Sequence, residues 1–70
     1  MALTRRFFTS LARDFKDARP QSTDSREFGV WMQMVRITAE ALAAQNSMFN
    51  YARFYEACGM PEPVVAAAAS

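Results

Sequence analysis

The sequence contains no histidine and a single cysteine, Cys58. Catalysis by a Cys–His pair is therefore excluded, because no imidazole is present to activate the thiol. One cysteine cannot form a disulfide within the chain, and without histidine it cannot hold a structural zinc ion. We therefore expect no catalytic residue, no metal and no cofactor, and we interpret Cys58 as a core residue in a reducing compartment.

Glycines and long apolar runs are also scarce. Gly29 and Gly59 are the only glycines, so there is no glycine-rich loop to cradle a phosphate. No segment is apolar over the roughly 20 residues that a membrane-spanning helix requires, and residues 1–19 mix acidic with basic side chains, unlike a secretory signal. The carboxylates are scattered, as on a solvated surface. We expect a cytoplasmic protein that has no membrane partner and is not an enzyme.

The spacing of the apolar residues predicts helices. The first is expected from about Thr4 to Ala18, and Pro20 ends it because the residue before a proline resists the helical conformation. The second is expected to follow an N-cap at Asp24, with Ser22 or Thr23 as alternative caps, and to run to about Gln45.

A third, shorter helix is predicted from Tyr51 to Cys58. Asn50 is a suitable N-cap, and Phe49 and Phe54 have the spacing of a hydrophobic staple across it. Gly59 is placed for a left-handed C-terminal cap. We therefore predict an all-α, three-helix domain over residues 1–63 with a long central helix, followed by a disordered tail over residues 64–70.

The second helix has two apolar stripes. One contains Phe28, Trp31, Met32, Val35, Ala39 and Leu42; the other contains Val30, Met34, Ile37, Ala41 and Ala44. A helix that is apolar nearly all round is normally buried nearly all round, and two short helices are expected to leave the second stripe uncovered. That stripe could be core, a homodimer interface or a surface that binds another protein. We favour an interface, since a core this small is marginal, and expect a homodimer. The candidate partner-binding residues are Val30, Trp31, Met34 and Ile37.

The net charge of +1 is unevenly distributed, because residues 1–19 carry an excess of three positive charges. Arg5, Arg6, Arg13 and Lys16 are candidates for electrostatic contacts. They support an alternative function, a small nucleic-acid-binding regulator that uses the basic face of helix one. We rank it second, because the second helix is apolar and lacks the Arg, Asn and Gln side chains of a recognition helix.

Residues 39–59 resemble the C-terminal half of short proteins encoded by bacteriophages and prophages, which end in a pattern like Ala-Leu-Ala-x-x-Asn-Pro-x-Phe-Asp-x-x-Arg-Phe-x-x-Ala-Cys-Gly. The matching residues are Leu42, Asn46, Phe49, Arg53, Phe54, Ala57, Cys58 and Gly59. Ser47 replaces the usual proline, and Asn50 replaces the usual aspartate. The resemblance implies a phage-encoded accessory protein in the cytoplasm of an infected bacterium. Such a protein would bind a host protein and inhibit or redirect it, for example as an anti-CRISPR or anti-restriction protein.

Overall fold

The computed structural model of the chain describes residues 4–69, and helices are the only regular secondary structure in this part. Its four helices are α1 (Arg5–Asp17), α2 (Arg26–Gln45), α3 (Tyr51–Cys58) and α4 (Glu62–Ala69). The predicted all-α class is confirmed for residues 4–69, and the predicted count of three helices is wrong. Residues 1–3 of the predicted domain and residue 70 of the predicted tail lie outside the described residues.

Helix α4 includes residues 64–69, for which the sequence predicts a disordered tail. It begins after Pro61, whose carbonyl oxygen accepts hydrogen bonds from the backbone N–H groups of Val64 and Val65 at 3.0 and 3.2 Å. Pro63 lies in the first turn, where the N–H that proline lacks would have no helical partner. The alanines that follow are the strongest helix formers, and both valines pack against the core. The prolines that end α3 therefore also start α4.

Side-chain caps define where the first three helices begin. Thr4 accepts a hydrogen bond from the N–H of Phe7 at 3.3 Å, and Asn50 accepts one from Arg53 at 3.1 Å. The cap of α2 is Ser25, whose hydroxyl accepts from the N–H of Phe28 at 3.2 Å, and not the predicted Asp24. Serine and aspartate are nearly equal as caps, so local sequence did not distinguish these adjacent positions.

The C-terminus of α3 ends in a Schellman motif. Gly59 has φ of 86°, and its N–H donates to the carbonyl of Glu56 at 3.1 Å, while the N–H of Met60 donates to the carbonyl of Tyr55 at 3.0 Å. This turn directs the side chain of Met60 into the core. The left-handed cap predicted at Gly59 is confirmed.

The core lies on one side of α2, and α3 contacts each of the other three helices. The buried residues are Ala12, Phe28, Trp31, Val35, Ala39, Leu42, Phe54, Tyr55, Cys58 and Met60. The Cα atoms span 37 × 25 × 15 Å, so the molecule is flat. A Cα extent of 15 Å corresponds to two layers of helices, because the Cα atoms of one helix lie on a cylinder about 4.6 Å across and packed helices are about 8–10 Å apart. The long helix α2 is therefore covered on one face only.

Candidate protein-interaction surfaces

An apolar row lies on the side of α2 that faces away from the core. We call it the α2 seam, and it consists of Val30, Met34, Ile37, Ala41 and Ala44. The exposed fractions of the first three side chains are 54%, 50% and 52%, and both alanines are exposed. Successive members are separated by four, three, four and three residues, which is the heptad spacing of a two-stranded helical contact. The seam thus has the pattern of a helix–helix interface and has no helix packed on it within residues 4–69.

Trp31, which we had grouped with this surface, lies in the core and is only 7% exposed. One residue corresponds to about 100° around a helix, so Trp31 is turned away from Val30. Its indole N–H donates to the carbonyl oxygen of Phe15 at 2.8 Å. That carbonyl lies in the last turn of α1, where carbonyl groups lack helical partners. Trp31 therefore caps α1 and fixes it against α2, and it is not available to a partner.

The four basic candidates share one strip of α1. Arg5, Arg6, Arg13 and Lys16 are all exposed and fall within an arc of about 100° around the helix. Within the described part of the chain none of them forms an ion pair. Arg19 is different, because its guanidinium carbon lies 5.1 Å from the centre of the Phe28 ring and is partly buried. The strip therefore presents four solvated cations, whereas Arg19 packs on the Phe28 ring and helps to stabilise the fold.

A groove between α1 and α3 was not predicted from the sequence. It has a volume of about 630 Å³, and its apolar lining includes the rings of Phe8, Phe49 and Phe54. The ring centres of Phe8 and Phe49 are 5.8 Å apart, and those of Phe49 and Phe54 are 5.5 Å apart. The charged lining residues are Arg5, Arg53 and Glu56. We call this the α1–α3 groove.

Sequence reasoning missed the groove because its residues come from separate segments. The predicted staple of Phe49 and Phe54 is confirmed, because their ring centres lie 5.5 Å apart. What the spacing could not show is that α1 and α3 lie side by side with the rings of Phe8 and Phe49 only half-buried between them. Met48, in the loop before α3, is 87% exposed and also lines the groove. No local feature of the sequence points to this place.

The chemistry of Cys58 is that of an inert core thiol. The side chain is fully buried, and burial raises the pKa of the thiol from 9.0 to about 12. Since the thiolate is the nucleophilic form, Cys58 is unreactive at neutral pH. No group of three or more Cys, Asp or Glu side chains that could hold a metal ion occurs within residues 4–69.

Comparison of the chain with known protein families, with curated proteins and with solved structures finds no match. The resemblance of residues 39–59 to short phage proteins therefore stays a prediction. None of the helices in residues 4–69 is long and apolar enough to cross a membrane.

Proposed function

We propose that this chain is a non-catalytic binding protein that pairs with a second copy of itself and engages another protein. The observation that carries the proposal is the exposed α2 seam. Apolar rows of this kind, with methionine and branched side chains, are typical of surfaces that become buried on association. A 70-residue chain also gains from association, because it buries a smaller share of its surface on folding than a larger domain does.

The shape of the seam favours a second copy in antiparallel orientation. Its large side chains, Val30, Met34 and Ile37, lie toward the start of α2, and its small ones, Ala41 and Ala44, lie toward the end. Antiparallel pairing places the large end of one copy against the small end of the other, so the two helices approach evenly. It also places the two helix dipoles antiparallel, so that the positive end of each lies beside the negative end of the other, which is favourable.

Parallel pairing is disfavoured by charge. Glu27 lies three residues before Val30 on the same side of α2, and it is exposed. A parallel pair in register would bring the Glu27 carboxylates of the two copies together, and like charges at such positions destabilise a helical pair. In the antiparallel arrangement each Glu27 lies near the alanine end of the other copy instead. We therefore propose an isologous, antiparallel dimer.

The second partner in this proposal is a bacterial host protein. The resemblance of residues 39–59 to phage proteins supports that context, and with it a cytoplasmic location in the infected cell. Binding would inhibit or redirect the host protein, and interference with a CRISPR or restriction system is one form of such a role.

A co-expression experiment tests the proposal. Two differently tagged copies are produced in bacterial cells, the lysate is treated with nuclease, and one tag is captured. We expect the second copy and a host protein in the eluate, with the second copy lost from Met34→Glu/Ile37→Glu. The control, Ser10→Glu/Gln21→Glu, adds the same charges at exposed positions outside α2 and should behave as wild type. A second copy retained by the seam variant contradicts the proposed pairing.

The basic strip on α1 favours one second candidate, binding of nucleic acid. Each phosphate contact releases counterions, so such binding would weaken steeply with salt. We expect no affinity beyond the non-specific level, about micromolar or weaker at physiological salt. Tight, sequence-selective binding in a gel shift, abolished by changing Arg5, Arg6 and Arg13 together to alanine, would make this candidate the better one.

A further inference from the structure

We propose that the α1–α3 groove binds an acidic, amphipathic segment of a protein partner. The inference rests on the proposed function, since it identifies where and how a protein is engaged. The segment would insert apolar side chains toward Phe8, Phe49 and Phe54 and place carboxylates on Arg5 and Arg53. Helical segments with apolar anchors are commonly held in grooves in this way.

The size and lining of the groove fit such an occupant. Its volume of about 630 Å³ is within the range of roughly 300–1,000 Å³ in which pockets bury compact ligands. Phe8 and Phe49 are half-buried, so their rings are held by the fold while part of each remains accessible. A rigid aromatic surface loses little conformational freedom on binding, which suits it to anchor an apolar side chain. Met48 can adapt its flexible side chain to the occupant.

The net positive charge of the groove favours an acidic segment. Arg5 and Arg53 contribute two guanidinium groups against the single carboxylate of Glu56. Neither arginine forms an ion pair within residues 4–69, so both remain available to a ligand. A guanidinium can hold a carboxylate through two parallel hydrogen bonds, which gives geometric selectivity as well as attraction. A basic segment would instead be repelled by both arginines.

The groove and the α2 seam are separate surfaces. The groove is built from α1, α3 and the loop between α2 and α3, whereas the seam lies along α2. A paired molecule can therefore keep both of its grooves open and bind two segments. Two linked sites raise the apparent affinity for a partner that carries two segments, without any new contact.

Selection from a displayed library of random peptides, about 12 residues long, tests the inference with the purified full chain. We expect the selected peptides to combine apolar or aromatic residues with Asp or Glu. One selected peptide is then synthesised together with a version in which every Asp and Glu is replaced by Asn and Gln. Fluorescence anisotropy should show at least about tenfold weaker binding of the amide version, as expected for lost charged contacts.

Charge reversals locate the site. Arg5→Glu/Arg53→Glu should weaken binding of the selected peptide by at least about tenfold. The matched control is Arg6→Glu/Arg13→Glu, which makes the same charge change on exposed residues that do not line the groove, and should alter binding by less than about threefold. All four side chains are exposed, so circular dichroism should confirm that both variants fold.

Three results would overturn the inference: selected peptides without acidic residues, no selected peptide at all, or equal losses in the two charge-reversed variants. Competition by a single-stranded oligonucleotide at comparable concentration would also overturn it and would point to nucleic acid as the ligand of the groove. The peptide assay measures binding to the groove, whereas pairing of two copies is measured in separate experiments. A negative peptide result therefore does not contradict pairing through the α2 seam, and a monomeric chain does not contradict peptide binding.

Discussion

Replacing Phe54 with alanine should remove most of the stability of this protein. Phe54 is 5% exposed, and the centre of its ring is 5.5 Å from that of Phe49 and 6.5 Å from that of Phe15. It belongs to α3, the helix that contacts the other three, so no neighbouring helix can collapse into the space without moving the rest. A buried Phe→Ala change costs about 3–5 kcal/mol. A domain of this length has a total stability of roughly 3.5–10 kcal/mol, at about 0.05–0.15 kcal/mol per residue.

Urea denaturation followed by far-ultraviolet circular dichroism measures this loss, with Phe7→Ala as the matched control. Phe7 is on α1 and is 44% exposed, so the same truncation there should cost less than about 1 kcal/mol. We expect the denaturation midpoint of Phe54→Ala to fall far below that of Phe7→Ala. Equal midpoints for the two variants would show that α3 does not organise the core and would refute the reasoning.

Four further substitutions test particular positions. Gly59→Ala should destabilise the fold by about 1–2 kcal/mol, because φ is 86° at this position. Gly29→Ala should stabilise it by roughly 0.5–1 kcal/mol, because the new methyl group would meet open space. Thermal melts should therefore show a lower melting temperature for the first variant and a higher one for the second. Trp31→Phe should cost about 1–3 kcal/mol by leaving the Phe15 carbonyl unpaired, and an unchanged unfolding free energy would contradict that capping role. Burial raises the pKa of Cys58 from 9.0 to about 12, so above pH 9 the unfolded thiol ionises first and stability falls by up to about 1.4 kcal/mol per pH unit. Between pH 9 and 11 the unfolding free energy of Cys58→Ala should fall less steeply than that of the wild type. Equal slopes for the two proteins would contradict the raised pKa of Cys58.

Much of the fold could be predicted because it is encoded over short distances. The bounds of α3, its Asn50 cap and the left-handed Gly59 each depend on a few adjacent residues, and each was predicted as it is found. The buried stripe of α2 followed from helical spacing alone, since one face of a long helix must carry the core.

Other features depend on contacts that spacing does not encode. Trp31 belongs to the core stripe of α2 by spacing but lies near its border, and its burial together with its hydrogen bond to the Phe15 carbonyl shows that it faces inward. Helix α4 was missed because prolines such as Pro61 and Pro63 can either end one helix or start the next. A helix forms after them here because Val64 and Val65 pack against the core, and that contact cannot be read from the spacing. The α1–α3 groove depends on how two helices separated in the sequence by the whole of α2 come to lie side by side.

The exposure of the α2 seam is a property of the single chain, and its burial by a second copy is the central claim. Sedimentation equilibrium of the purified chain over a range of concentrations, with Met34→Glu/Ile37→Glu and Ser10→Glu/Gln21→Glu measured alongside, tests it most directly. A seam of two heptads is short, so we expect a monomer–dimer equilibrium at micromolar concentration for wild type and for the control. The seam variant should stay folded and monomeric, because carboxylates facing each other across a symmetric contact repel. A wild-type chain that is still monomeric at high micromolar concentration would contradict the claim.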